Sequence, residues 1–132
     1  MPYLAGIILA LMVSLLATLV GFDRDRAFYP TLLVVVASYY VLFAVVGDSG
    51  HALVVETLVM VGFLLVAAIG FKKNLWLVVV ALAAHGIFDF FHRRIVANPG
   101  VPAWWPAFCM TFDITAAAFL AWLLKRSPPV RR

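Results

Sequence analysis

Glu56, Asp89 and Asp113 are half of the six acidic residues in this chain, and all three fall inside long apolar runs. Two histidines, His85 and His92, flank Asp89 at spacings of four and three residues. On a helix of ~3.6 residues per turn these three side chains project from one face, within roughly 60° of arc. An ionisable group in hydrocarbon costs several kcal/mol unless it finds a partner, so an intramembrane cluster marks a site by default. Neutral imidazoles with carboxylates suit zinc, iron or manganese and need no softer donor. His85, Asp89, His92 and Asp113 are therefore the candidate metal ligands, and Glu56 is the candidate general base or a further ligand. A bound divalent metal, zinc ahead of iron or manganese, would bring the pKa of its water toward ~7 and supply a nucleophile near lipid headgroups. A spare carboxylate would orient a ligating imidazole from behind. Glu and His at i and i+3 projecting into a bundle is also the di-metal arrangement, matched here only in part because one helix alone carries both residue types.

The elements that must position these residues are membrane spans. Two thirds of the residues are apolar and 12% are charged, against about 25% charged in a soluble domain. That much apolar surface cannot be hidden in a soluble chain of 132 residues, so lipid must be part of its solvent. Five stretches approach the ~20 apolar residues that cross a bilayer: 3–22, 27–47, 51–71, 74–94 and 107–124. The expected fold is an all-α membrane protein, a single transmembrane domain over 1–132. Short loops predict that sequential spans pack as antiparallel neighbours. The first span starts almost at Met1 without a charged leader or a small-residue cleavage site, and is expected to be a helix of the mature protein.

Basic residues set the orientation. With five spans, one face carries Arg24, Arg26, Lys72, Lys73, Lys125, Arg126, Arg131 and Arg132, and the other Arg93 and Arg94. The positive-inside rule then puts the C-terminus in the cytoplasm and the N-terminus outside. The expected location is the cytoplasmic (inner) membrane. The pI of 9.6 reflects these span-end residues. No basic patch with interleaved aromatics points to nucleic acid, and the expected partners are membrane lipids and, in an oligomer, a second copy. The single cysteine, Cys109, excludes an internal disulfide and reads as a small packing residue.

Helix rise converts the orientation into depth. From the outer boundary, at ~1.5 Å per residue, His92 lies ~3 Å deep, Glu56 and Asp89 ~7 Å, Asp113 ~10 Å and His85 ~13 Å. The titratable groups share one layer facing the outer leaflet. Ala81 extends the His85 stripe, and Cys109, Asp113, Ala117 and Ala121 form a matching stripe on the last span. Small residues let helices approach closely in membranes, which would bring Asp113 against His85 and Asp89. The 95–106 loop, with Pro99, Gly100, Pro102, Trp104, Trp105 and Pro106, reads as an ordinary aromatic belt, the alternative being a lid. His51 reads as interfacial. Ser14 and Thr18 are expected to bond back to their own helix, and Tyr39 and Tyr40 to pack, with one hydroxyl within reach of the cavity.

The run His85-Gly-Ile-Phe-Asp89-Phe-Phe-His92, then Asn98-Pro99, then Cys109 and Asp113, resembles the pattern of a family of small, uncharacterised bacterial integral membrane proteins. That pattern is His-x3-Asp-x2-His-His, Asn-Pro, then a late Cys and Asp. The resemblance covers the last third of the chain and implies a shared site without an activity. The chain departs from it at Arg93, where the pattern has a second His, which puts any extra ligand there in doubt. More distantly, a His/Asp cluster in a helical bundle resembles intramembrane metal hydrolases of the ceramidase type, an analogy of architecture only.

Three functions follow. The first is a metal-dependent, hydrolase-like protein acting on a lipid or other amphiphile. The second is a proton-coupled small transporter or ion-binding protein, since proton relays use the same residue types; the apolar inner half and the lack of internal repeats weigh against it. The third is a subunit whose polar cluster only specifies helix packing.

Overall fold

Runs of apolar residues broken by Gly, Asn and charged residues fold into five helices in the computed structural model, which describes residues 1–24 and 26–126. They are α1 (Pro2–Val20), α2 (Phe28–Val46), α3 (Gly50–Lys72), α4 (Trp76–Ile95) and α5 (Trp105–Arg126), with a 3-10 turn at Phe22–Arg24. No strand occurs among the described residues. Each helix is long and apolar enough to cross a membrane. Each end lies at most two residues from the boundary read off the sequence. Arg131 and Arg132, which contribute to the charge asymmetry, lie outside the described residues.

Local chemistry sets the ends. Proline in the first turn of α1 uses a position whose N–H has no helical partner. Gly21 closes that helix at φ 95°, in the left-handed region that glycine enters without a Cβ clash. Ser49 Oγ caps α3 by accepting from the Ala52 amide at 3.2 Å, and Asn74 Oδ1 takes the Trp76 amide at 3.0 Å at the start of α4. Thr18 differs from expectation: its hydroxyl donates to Asp23 Oδ2 at 2.6 Å rather than to its own helix.

Helices α2, α3, α4 and α5 pack in succession, each on the next. Helix α1 departs from that rule and lies against α5, not α2. Its buried stripe of Gly6, Ala10, Ser14 and Ala17 explains why. Gly6 sits so close to Thr111 and the Phe108 carbonyl that a Cβ would overlap both. Side chains such as Leu16, Leu58, Leu65, Phe90 and Trp122 point outward, as a surface solvated by lipid requires.

Two apolar clusters bracket a polar layer. The larger contains Leu33, Val36, Val78, Leu82, Phe112 and Leu120, and the smaller Ala44, Ala52 and Val96. Along each chain segment the polar residues fall between them: Tyr40 between Val36 and Ala44 on α2, and His85, Asp89 and His92 between Leu82 and Val96 on and just past α4.

The α4–α5 connection is docked on the bundle, beyond what an aromatic belt requires. Trp105 packs edge-on against Tyr39 and Phe43 with ring centroids 5.1 and 4.9 Å away, while Trp104 is exposed. Gly100 lies against the Phe43 carbonyl with no room for a Cβ. Arg93 donates to the Ala103 carbonyl at 2.7 Å and pins the loop from the α4 side.

Candidate metal centre

Helix α4 supplies the frame of the site. Ala81, His85, Asp89 and His92 form its buried stripe, and Cys109, Asp113 and Ala117 the facing one on α5. His85, Asp89, His92, Asp113 and Glu56 are each no more than 1% exposed. Asp113 Oδ2 lies 2.6 Å from His85 Nδ1, and Asp89 Oδ2 lies 3.4 Å from the same nitrogen. Each of His85, Asp89 and Asp113 offers one ligand atom within 4.8 Å of the other two. Phe63 closes the site from α3, its ring edge-on to His85 with centroids 4.8 Å apart.

His92 and Glu56 form a second group. His92 Nε2 is 2.7 Å from Glu56 Oε2, and Asn98 Nδ2 donates to that same oxygen at 2.8 Å. The direction of the His92–Glu56 hydrogen bond follows the tautomer of the imidazole. The sequence grouped His92 with His85 and Asp89 as a ligand; the geometry engages its Nε2 with Glu56. One helical face holds both histidines, but their hydrogen-bond partners come from different helices, α5 for His85 and α3 for His92.

Tyr40 and Asn98 join the groups, and neither was a candidate ligand or base from sequence. The Tyr40 hydroxyl donates to Asp89 Oδ1 at 2.6 Å. Its ring stacks on His92, centroids 3.8 Å apart and 9° from parallel. Its main-chain carbonyl accepts from Asn98 Nδ2 at 3.0 Å. Position along the span could have found Tyr40: seven residues before the end of the span read from the sequence, it lies ~10 Å of helical rise from that end, as far as Asp113 lies from the start of its own. Asn98 sits in a loop, where rise arithmetic says nothing, and only its place in the Asn-Pro pattern singled it out.

Four of these buried atoms have no hydrogen-bond partner among the described residues: His85 Nε2, Asp89 Oδ2, Asp113 Oδ1 and Glu56 Oε1. Buried polar atoms are ordinarily satisfied, so each one asks for an explanation, an ion or water among them. The donor set of one imidazole and two carboxylates fits a divalent cation: with neutral His85 its charge is −2, which such an ion balances. His51 is exposed at the start of α3, and Cys109 is buried without a disulfide.

A cleft of about 630 Å³ opens beside the second group, lined by Ser49, His92, Arg93, Asn98, Pro99 and Val101 among others. His92 and Asn98 thus face the cleft on one side and Glu56 on the other. The chain matches no protein-family model, no curated protein and no solved structure.

Proposed function

We propose that this chain is an integral membrane metalloprotein that binds a divalent cation through His85, Asp89 and Asp113 and acts, hydrolase-like, on a lipid or other amphiphile. The observation that carries the reading is the trio of mutually close, fully buried residues, each of which also carries a buried polar atom without a hydrogen-bond partner. Unpaired charges are rarely kept in an apolar interior, and buried ones are paired or coordinate metals. Zinc fits ahead of iron or manganese because imidazole is a preferred zinc donor. Three protein ligands leave a position open for a water that the metal would activate. Glu56, held with His92 and Asn98 beside the cleft, is the proposed base.

The excess of basic residues on alternate loops supports an antiparallel bundle in the cytoplasmic membrane, C-terminus inside, with the cleft toward the outer leaflet. The Asn98-Pro99 and His/Asp pattern supports grouping the chain with the small bacterial membrane proteins it resembles.

Elemental analysis tests the proposal. Wild-type protein and an Asp89→Ala variant are purified in mild detergent without a His-tag or chelator. Near-stoichiometric zinc, iron or manganese in wild type, lost in the variant, is the expected result; lipid hydrolysis assays follow. No metal in wild type, even after reloading, sinks the metalloenzyme.

One observation favours a second reading, proton or ion exchange. From the cleft, polar groups continue inward through His92, Glu56, Tyr40, Asp89, His85 and Asp113. Beyond them lies the apolar cluster around Leu33, Leu82 and Leu120, so one chain shows half a path, and a homodimer would have to complete it. Proton uptake by proteoliposomes, lost in Asp113→Asn, would favour this reading over hydrolysis.

A further inference from the structure

We infer that Tyr40 is the positioning residue of the His85–Asp89–Asp113 site: it commits Asp89 to ligation through a single oxygen. The inference rests on the metal reading above and specifies how that site is preorganised. Tyr40 is 2% exposed, and its hydroxyl meets Asp89 Oδ1 at 2.6 Å, at the short end of O–H···O distances. That bond occupies Oδ1 and leaves Oδ2 as the atom without a partner. Oδ2 is also the oxygen nearest the imidazole, 3.4 Å from His85 Nδ1. The hydroxyl thus divides the carboxylate into a hydrogen-bonded oxygen and one without a hydrogen bond, which faces the imidazole.

The ring is packed on two sides and its main chain is tied. His92 covers one face at 3.8 Å, Phe88 stands edge-on at 5.9 Å, and Asn98 fixes the main chain through the Tyr40 carbonyl. A carboxylate ligand whose outer oxygen is hydrogen-bonded is a recurrent means of orienting a metal site, and loss of such a partner typically costs 10–100-fold in metal affinity. Without the hydroxyl, Asp89 could turn about its terminal torsion and present both oxygens. That changes the coordination, not only the strength of binding.

Tyr40→Phe tests this because it keeps the ring and its stacking on His92 while removing only the hydroxyl. Zinc affinity is measured by chelator competition, and the visible spectrum of the cobalt-loaded protein reports coordination, for wild type, Tyr40→Phe, Asp89→Ala and Tyr39→Phe. Tyr39 packs on Trp105 and touches neither group of the site, so its variant should match wild type. The expected result is a ~10–100-fold loss of zinc affinity in Tyr40→Phe together with altered cobalt bands. Wild-type affinity and bands in Tyr40→Phe, with binding abolished in Asp89→Ala, overturn the role of Tyr40 and leave the metal site standing. No zinc or cobalt binding by wild type overturns both. Should Tyr40→Phe fail to fold, 3-fluorotyrosine placed at position 40 keeps the hydroxyl: its fluorine resonance should shift on zinc loading, and an unmoved resonance in a zinc-loaded protein overturns the inference.

Discussion

Removing the Asn98 carboxamide should loosen the whole cleft side of the site. Its Nδ2 donates to the Tyr40 carbonyl at 3.0 Å and to Glu56 Oε2 at 2.8 Å, and its Oδ1 accepts from the Gly100 amide at 3.2 Å. Side-chain hydrogen bonds in membrane proteins average ~0.6 kcal/mol and reach ~1.7. The bond to Glu56 belongs at the upper end, because its acceptor is a fully buried carboxyl oxygen. Asn98→Ala should therefore destabilise by about 1–3 kcal/mol, an unfolding constant ~5–150-fold higher. Asn98→Asp keeps the bond to Gly100 but sets a second carboxylate against Glu56 and the Tyr40 carbonyl. Two like charges ~4 Å apart repel by up to about 4 kcal/mol at an effective dielectric of ~20, so the Asp variant should be the less stable of the two. Reversible unfolding in mixed micelles, followed by helical circular dichroism at neutral pH, reads both. Asn98→Ala within ~0.5 kcal/mol of wild type, a surface-like effect, would refute the clamp. Asp no worse than Ala would refute a charged Glu56 at this contact.

The same unfolding assay should show Gly100→Ala weakened by about 1–3 kcal/mol or more, since the added methyl must displace the loop from the Phe43 carbonyl. Leu82, fully buried in the larger cluster, should lose about 2–5 kcal/mol on change to Ala, while zinc content stays at the wild-type level. Cys109 is 3% exposed, so a maleimide in mild detergent should label it at least ~100-fold more slowly than in the unfolded chain, because labelling requires local opening; mass spectrometry of timed samples checks this.

The helices were legible because each apolar run ends where the chain must leave hydrocarbon. Lys72, Lys73 and Asn74 end α3, and Gly21 offers the left-handed cap that closes α1. His85, Asp89 and Asp113 were legible as a group for a related reason. Helical spacing places two of them on one face, and small residues on α5 allow the third to approach. The partner of α1 was not legible. Short loops argue for α2, but a loop constrains only the helix ends, while the close fit of Gly6 to Thr111 depends on side-chain shape.

By itself, then, the sequence determined the solvent, the number of spans and the layer holding the ionisable groups, because hydrophobicity and helical rise act along the chain. Only the tertiary structure decided how that layer divides. His85 and His92 are equivalent by spacing, yet one meets Asp113 at 2.6 Å and the other Glu56 at 2.7 Å. Which neighbour a side chain meets depends on how α3 and α5 are set around α4, and helix periodicity does not encode that. Tyr40 carries the same lesson: a tyrosine in an apolar span reads as packing until the fold brings Asp89 to its hydroxyl and His92 to its ring.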